Sequence, residues 1–382
     1  MTNSSNADLS ATIAAINAAL ASVHDPELHR PLPELGMVES VSFESGVANL
    51  RILLTISGCP MRDRLHNDIN VALKKIEDVK EVQIEFGVMS DEQRGNVKKL
   101  LHGGKEKVIP FAQPGSLTRV IGIASGKGGV GKSSVTVNLA AALSMRGFRV
   151  GILDADIYGH SIPRLLGIEG QRPTAIDQTF IPIEVNGIKV VSIEMFKPDR
   201  SDPVAYRGPL LHRVLEQLLS DAYWGDLDFL LLDLPPGTGD IAISLGQLVP
   251  ASEILIVTTP QVAAAEVAER AGRIAHQLKQ QIIGVIENMS SFSMPGSDIG
   301  IELFGSGGGD ETAKRLSTLV GADIPLLGKI PFDLSLREGG DHGVSIVNRA
   351  PDSPAAQQFL AVADALTTRK RSLLGVRLGL ST

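Results

Sequence analysis

A glycine-rich segment, residues 126–133 (GKGGVGKS), constrains the fold of this 382-residue chain more than any other feature. It fits the pattern G-x-x-x-x-G-K-[ST], in which glycines let backbone N–H groups turn inward around a phosphate. The strand-like run RVIGIAS precedes it and the helical run SSVTVNLAAALSMRG follows it. The positive end of the helix dipole would face the same phosphate. The segment therefore predicts a strand, a phosphate-binding loop and a helix in succession.

Strand-like and helical runs alternate through most of the chain after residue 118. The strand-like runs are RVGILDAD, KVVSIEMF, FLLLDLP, EILIVTTP and IIGVIENM. Buried strands of a parallel sheet read as such short apolar stretches, and crossover helices separate them in sequence. We therefore predict an α/β fold for residues 119–368, a P-loop NTPase domain whose mostly parallel sheet is flanked by helices.

The other parts of the chain have different patterns. Residues 1–89 contain a helical run, two strand-like runs around a short turn, a second helical run and a further strand, which together predict a small α+β accessory domain. Residues 90–118 lose periodicity and gain Gly, Pro and Lys, as a flexible linker would. Residues 369–382 carry four basic and no acidic side chains, which predicts a solvated basic tail.

Composition argues against several classes of protein. With 36 Lys and Arg against 43 Asp and Glu, and only 4% aromatic residues, we expect no nucleic-acid partner. No apolar run approaches the roughly 18 to 20 residues that cross a bilayer, so we expect no membrane insertion. The single cysteine, Cys59, forms no intramolecular disulfide, and the chain opens without a secretory leader. We therefore expect a soluble cytoplasmic protein.

The phosphate loop contains side chains with distinct chemical roles. Lys132 would reach the β and γ phosphate oxygens, and the Ser133 hydroxyl would ligate Mg²⁺. The residues predicted to bind the nucleotide along this loop are Ser125, Gly126, Lys127, Gly128, Gly129, Val130, Gly131, Lys132, Ser133 and Ser134.

Two of the predicted strands end in carboxylates. Asp154 closes one strand and is followed by Asp156, and Asp233 closes another. Because the carboxyl ends of parallel strands meet at one edge of a sheet, these carboxylates should lie beside the phosphate loop. We predict that Asp154 and Asp233 serve the Mg²⁺ ion, Asp233 through a water molecule, and that Asp156 orients the attacking water.

A second lysine, Lys127, lies inside the loop, where most phosphate loops tolerate any residue. The pattern K-G-G-x-G-K-[ST] resembles the deviant phosphate loop of MinD-like and nitrogenase-iron-protein-like ATPases. This resemblance implies that Lys127 contacts the nucleotide across a dimer interface, so the chain would act as an ATP-dependent homodimer. The predicted catalytic residues are then Lys127, Lys132 and Asp156, in an ATPase that turns over slowly without a partner.

Several segments resemble the Mrp/ApbC family of P-loop ATPases, which carry iron-sulfur clusters. They are DLPPGTGD at 233–240, VTTPQ at 257–261, ENMS at 287–290, FGSGGG at 304–309 and IPFD at 330–333. The accessory domain also matches, through Asp25-Pro26-Glu27 and Gly58-Cys59-Pro60, so the resemblance covers nearly the whole chain. It implies that Asn288, Pro331 and Asp333 lie around the adenine, and that the partners are iron-sulfur assembly or recipient proteins.

One segment departs from the family pattern. Between ENMS and FGSGGG the family usually has C-P-x-C, whose thiolates from two subunits hold a bridging [4Fe-4S] cluster, and here the residues are Met294-Pro295-Gly296-Ser297. A thioether and a hydroxyl are poor replacements for thiolates.

The single thiol of the sequence, Cys59, precedes a predicted helix. The helix N-terminus should make this thiol easier to ionise and to bind metal, although a small side chain packed at a turn is the alternative. Two hypotheses follow for the whole protein. One is an iron-sulfur cluster carrier with Cys59 as a cluster ligand. The other is a metal-free MinD-like scaffold that binds partner proteins.

Overall fold

The computed structural model describes residues 2–56, 59, 61–101, 108–113, 115–197, 208–237, 239–293 and 300–369. These residues form two compact units. The first comprises Met1–Lys107 and Thr174–Ile181, and the second comprises Val108–Pro173 and Pro182–Thr382. A short segment of the first unit is therefore enclosed, in sequence, by the second.

The first unit has the predicted order of helix, hairpin, helix and strand. Its elements are α1 (Thr2–Ser22), β1 (Val38–Glu44), β2 (Val47–Leu54), α2 (Arg62–Leu73) and β3 (Glu81–Val88). Strand β2 pairs antiparallel with β1 and parallel with β3. Helices α1 and α2 contact each other, and Ile16, Leu20 and Ile69 are fully buried. The α+β prediction for this part of the chain is confirmed.

A further helix, α3 (Asp91–Leu101), lies where the sequence analysis placed a flexible linker. Its side chains Val97 and Leu101 are buried. The Ser90 hydroxyl accepts a hydrogen bond from the Gln93 N–H at 3.3 Å, and Gln93 Oε1 accepts one from the Ser90 N–H at 2.8 Å. This reciprocal cap marks a helix start. The prediction of a flexible linker over 90–118 is therefore wrong for residues 91–101, because the cap and the two apolar side chains stabilise a helix there.

The remaining elements alternate between strands and helices along the chain. They are β4 (Arg119–Ser125), α4 (Lys132–Met145), β5 (Val150–Asp154), α5 (Ile162–Leu165), β6 (Thr174–Ile176), β7 (Thr179–Ile181), β8 (Ile183–Val185), β9 (Ile188–Ser192), α6 (Gly208–Ser220), β10 (Phe229–Asp233), α7 (Asp240–Leu248), β11 (Glu253–Thr258), α8 (Val262–Gln277), β12 (Gln281–Ser293), β13 (Gly300–Ile301), α9 (Gly308–Val320), β14 (Leu326–Phe332), α10 (Leu334–Asp341), α11 (Ile346–Arg349) and α12 (Pro354–Thr368). Strands β6 and β7 form an antiparallel hairpin that belongs to the first unit. The basic tail beyond Arg369 lies outside the described residues.

Nine of the described strands form the sheet of the second unit. Their order is β13-β12-β11-β4-β10-β5-β9-β8, with β14 also paired to β12. Neighbouring strands run parallel, except that β8 is antiparallel to β9 and β13 to β12. This confirms the predicted α/β class with a mostly parallel sheet. Strand β4 lies between β10 and β11, and the strand order reverses there. The loop that follows β4 therefore lies at the carboxyl end of the sheet, where ligands of such sheets bind.

Helix α4 follows β4 and is buried on nearly all sides. Its buried residues run continuously from Val135 to Leu143, and α12 packs against it. A helix that is apolar all round belongs in a core. The N-terminus of α4, where the phosphate loop ends, is therefore fixed by the packing of the whole helix. None of the helices that the structure describes is long and apolar enough to cross a bilayer.

Candidate functional site

The predicted phosphate loop encloses a cavity of about 460 Å³ at the carboxyl end of β4. The loop residues that line it are Ser125, Lys127, Gly128, Gly129, Val130, Gly131, Lys132, Ser133 and Ser134. Helix α4 begins at Lys132, so its free N–H groups and the positive end of its dipole face this cavity. Of the ten loop residues predicted to bind nucleotide, Gly126 alone is not among those that line the cavity.

Two glycines of the loop are required by close contacts. A Cβ atom at Gly126 would lie 2.3 Å from the carbonyl carbon of Val267 on α8. Gly131 has a φ of 78°, and a Cβ atom there would lie 2.3 Å from Nδ2 of Asn288. Any other residue at either position would displace the loop or its neighbours.

Lys132 and Ser133 meet at one buried carboxylate. Lys132 Nζ lies 2.7 Å from Asp233 Oδ2, and the Ser133 hydroxyl donates to the same oxygen at 2.5 Å. The Thr136 hydroxyl donates to Asp233 Oδ1 at 2.8 Å. Asp233 is fully buried, so these donors replace its lost hydration. Thr136 was not among the predicted site residues, although its place one helical turn after Ser133 puts it on the same face of α4.

Asp154 lies opposite Asp233 on the neighbouring strand β5. Its Oδ2 accepts hydrogen bonds from the backbone N–H of Ser161 at 3.2 Å and of Ile162 at 3.3 Å, and from the Ser192 hydroxyl at 3.2 Å. Complete burial, followed by the negative charge of Asp233, raises the pKa of Asp154 to about 8. These contacts make Asp154 an anchor for the segment after β5. Its contact with Mg²⁺ stays a prediction.

Asp156 lines the cavity and faces Lys132. Its Oδ2 lies 4.0 Å from Lys132 Nζ, and its Oδ1 accepts a hydrogen bond from the Gly159 N–H at 3.0 Å. Burial raises the pKa of Asp156, and the positive charge of Lys132 opposes this. The carboxylate therefore stands at the wall of the cavity where a water molecule could reach both it and a bound phosphate.

Lys127 has a partner within its own chain. Its Nζ donates a hydrogen bond to Oε1 of Gln261 at 2.6 Å, and Gln261 is the residue that precedes α8. The contact of Lys127 with a nucleotide across a dimer interface stays a prediction.

The three residues predicted to surround the adenine have other contacts in this structure. Asn288 is buried and donates from Nδ2 to the Val130 carbonyl at 2.9 Å, which holds the phosphate loop from behind. Asp333 caps α10 by accepting from the Ser335 N–H at 2.7 Å, and Pro331 lies within β14. None of the three is among the residues that line the phosphate cavity. Their role at an adenine stays a prediction.

Other residues complete the wall of the cavity. They are Gly159, Ser161, Arg164, Leu165, Pro236, Gly340 and Asp341. Arg164 and Asp341 form an ion pair at 3.8 Å. None of these seven residues was predicted to be a site residue. Arg164 could have been suspected because it follows Asp156 in the same segment, whereas nothing near Asp341 in the sequence points to a phosphate site.

In the first unit, Cys59 is half-buried just before α2. Burial raises the pKa of its thiol, the backbone N–H of Met61 lowers it, and the carboxylates of Glu27 and Asp25 raise it further. The expectation that a helix N-terminus makes this thiol easier to ionise is therefore wrong. Burial and the two negative charges outweigh the hydrogen bonds from the backbone N–H groups of Met61 and Arg62.

No three His, Cys, Asp or Glu side chains come together as a possible metal site within the part of the chain that the structure describes. The substituted segment Met294-Pro295-Gly296-Ser297 lies outside that part.

Comparison with protein-family models gives two matches that divide the chain. Residues 116–367 match the model described as NUBPL iron-transfer P-loop NTPase. Residues 13–86 match the model described as iron-sulfur cluster assembly protein.

Individual relatives cover almost the entire chain. An iron-sulfur cluster carrier protein of Mycobacterium leprae is 54% identical over 96% of this chain and 95% of its own length. A protein of the same name from Deinococcus radiodurans is 41% identical over 92% of this chain and 94% of its own. A solved structure of a nucleotide-binding protein from Archaeoglobus fulgidus in complex with ADP is 35% identical, with a TM-score of 0.53. It covers 64% of this chain and 93% of that protein.

Proposed function

Because this chain belongs to the family of NUBPL iron-transfer P-loop NTPases, we propose that it is an ATP-hydrolysing iron-sulfur cluster carrier that works as a nucleotide-switched homodimer. The contact of Lys132 and Ser133 with Asp233, at 2.7 and 2.5 Å, carries the nucleotide part of the proposal. The cluster part is supported by the accessory-unit match and by the name that the relatives share.

The hydrolysis site is built from the chain's own side chains. Lys132, at the first turn of α4, stabilises negative charge on the transferred phosphoryl group. Asp156 orients the attacking water and accepts its proton, a task that its raised pKa favours. We propose slow turnover in the single chain because Lys127, the other residue that would stabilise this charge, is hydrogen-bonded to Gln261.

The oxygen atoms of Ser133 and Asp233 are suitable ligands for a magnesium ion. Mg²⁺ prefers oxygen ligands and keeps several waters, and the Ser133 hydroxyl and the Asp233 carboxylate already lie within 2.5 Å of each other. These two residues would hold it, Asp233 through water. When bound, the ion would neutralise charge on the β and γ phosphates.

The cargo would be an iron-sulfur cluster, and Cys59 is the thiol that this chain offers. One thiolate from each subunit supplies half of the donors that a cluster needs, so an external thiol or a recipient protein would complete the set. We propose iron-sulfur assembly or recipient proteins as the partners. We also infer a cytoplasmic location, which is supported by the presence of a single cysteine.

The test is anaerobic reconstitution with ferrous iron and sulfide, followed by iron and sulfide counts per chain. Wild type is compared with Cys59→Ala, and with Ser40→Ala on an exposed position of β1 as a control. Incorporation that is lost in Cys59→Ala and kept in Ser40→Ala is expected. Equal counts in all three proteins would refute Cys59 as a cluster ligand.

A second function is favoured by one observation, the residues Met294 and Ser297 in place of the family's cysteines. A metal-free scaffold of the MinD type would bind partner proteins in response to ATP. It predicts ATP-dependent partner binding that neither iron nor Cys59→Ala changes. Loss of partner binding in Cys59→Ala would exclude it.

A further inference from the structure

The hairpin β6–β7 belongs to the first unit although the chain on both sides of it belongs to the second. Its register pairs Thr174 with Ile181 and Ile176 with Thr179, so these four side chains share one face. Ile176 and Thr179 on this face are 0% and 1% exposed, and on the other face Phe180 is 8% exposed and Ala175 is exposed. A two-stranded hairpin is at best marginally stable alone in water. Packing of its buried side chains therefore stabilises the hairpin.

Two polar contacts add to this packing. The Thr174 hydroxyl donates to Glu27 Oε1 at 2.7 Å. At the hairpin turn, Asp177 Oδ1 lies 3.7 Å from Nε of Arg94 on α3. Glu27 is one of the two carboxylates whose charge acts on Cys59. The hairpin thus supplies a hydroxyl to a carboxylate that lies near the only thiol of the chain.

The two chain segments that lead into and out of the hairpin are held by one carboxylate of the phosphate site. Asp154 Oδ2 accepts from Ser161 and Ile162, which precede the hairpin, and from the Ser192 hydroxyl, which follows it. Asp154 lies opposite Asp233 in the pairing of β5 with β10, and Asp233 contacts Lys132 of the phosphate loop. A change of charge at the phosphate site therefore acts on the anchor of both segments.

We propose that the hairpin Thr174–Ile181 transmits nucleotide occupancy of the phosphate site to the surroundings of Cys59. The inference rests on the proposed function, because it requires that the cavity bind ATP. A nucleotide and its cation change the charge that Asp233 and Asp154 experience, and the segments held by Asp154 shift in response. The Thr174–Glu27 hydrogen bond is the point at which this shift reaches the accessory unit.

The single cysteine makes the proposal directly measurable. N-Ethylmaleimide is uncharged and labels thiols, so its rate of reaction with the full chain reports on Cys59 alone. The rate is measured by mass spectrometry without nucleotide, with ADP, and with Mg²⁺ and a non-hydrolysable ATP analogue. In wild type we expect nucleotide to change the rate by about fivefold or more, the usual lower range of coupling between two sites.

Variants of the hairpin then test the route. Thr174→Val keeps the shape of the side chain and removes the donor, so the response to nucleotide should be lost, whereas Thr174→Ser keeps the hydroxyl and should retain it. The matched control is Thr318→Val, because within the described part of the chain the Thr318 hydroxyl donates to the Lys314 carbonyl of its own helix and to no other group. A second variant, Ser192→Ala, removes the hydroxyl that donates to Asp154 and accepts from the Glu194 N–H, while β9 stays paired with β5. It should reduce the response without altering the first unit.

The outcomes separate this inference from the proposed function. Nucleotide binding is measured in the same samples with a fluorescent ATP analogue. If wild type binds nucleotide and its labelling rate does not change, or if Thr174→Val and Ser192→Ala respond like wild type, the hairpin has no such role. If wild type binds no nucleotide, both the inference and the proposed function fail.

Discussion

Lys127 and Gln261 are joined within one chain by a hydrogen bond of 2.6 Å between Nζ and Oε1. The bond connects the phosphate loop to the start of α8. Gln261 is exposed, so water competes for both groups, and such a bond contributes about 0.5 to 1.5 kcal/mol. A nucleotide shared between two subunits would compete with Gln261 for the Lys127 ammonium group.

The first prediction concerns Gln261→Ala. Removing the amide frees Lys127 in both subunits, so ATP-dependent dimerisation should strengthen by up to about a hundredfold, the equivalent of two such hydrogen bonds. Sedimentation velocity with Mg²⁺ and a non-hydrolysable ATP analogue measures the dimer dissociation constant. Lys127→Ala is the control and should abolish the dependence on ATP. An unchanged dissociation constant in Gln261→Ala would show that the bond does not compete with dimer formation.

The second prediction concerns Lys132→Ala. This change removes the cation 2.7 Å from fully buried Asp233, and a broken buried ion pair costs roughly 3 to 5 kcal/mol of stability. Urea unfolding reports on the second unit through its only tryptophan, Trp224, which is 1% exposed. ATP binding should also be lost. In the double variant Lys132→Ala, Asp233→Asn, stability should partly recover while binding stays lost. A single variant that still hydrolyses ATP at the wild-type rate would refute the site.

The third prediction concerns pH and Asp154. Burial and Asp233 raise its pKa from 3.8 to about 8, so between these values the folded chain keeps a proton that the unfolded chain releases. The stabilisation from this group is complete below about pH 4 and is lost as the pH rises toward 8. The midpoint of urea unfolding should therefore be more sensitive to pH in wild type than in Asp154→Asn, whose amide oxygen still accepts hydrogen bonds. Parallel pH profiles for the two proteins would contradict this assignment.

The fourth prediction compares two glycines of the loop. In Gly126→Ala the new methyl group would overlap the backbone of α8 at 2.3 Å, whereas in Gly128→Ala the nearest atom, on Pro236, is 4.0 Å away. Overpacking of this kind costs about 1 to 3 kcal/mol. Gly126→Ala should therefore lower both the unfolding midpoint and ATP affinity, and Gly128→Ala should leave stability near that of wild type. Equal effects of the two changes would mean that contact with α8 does not shape the loop.

The parts of this protein that the sequence predicts are those fixed by local chemistry. The loop from Ser125 to Ser134 and the carboxylates Asp154 and Asp233 are recognisable because glycine spacing and strand ends are local signals. Helix α3 carried such a signal in its Ser90–Gln93 cap, but Gly95 and the charged residues around it obscured the helical pattern.

Other features depend on which segments the fold brings together. Asp341 lines the phosphate cavity although it is far from the loop in sequence, and no pattern around it indicates this. The assignment of the β6–β7 hairpin to the first unit is likewise a property of the folded chain. For Cys59, the sequence shows the helix that follows the thiol but not the burial that raises its pKa most, nor the two carboxylates that raise it further.

The Asn288 side chain holds the Val130 carbonyl, and Gly237 donates from its N–H to the Ser125 carbonyl at 2.8 Å, so the phosphate loop is braced at both ends before any nucleotide arrives. The conformational entropy of ordering this loop is therefore part of the free energy of folding rather than of binding. A nucleotide binds to a loop that is already ordered, so its association rate should be limited by diffusional encounter. Differences in affinity between ATP and ADP should then lie mainly in their dissociation rates.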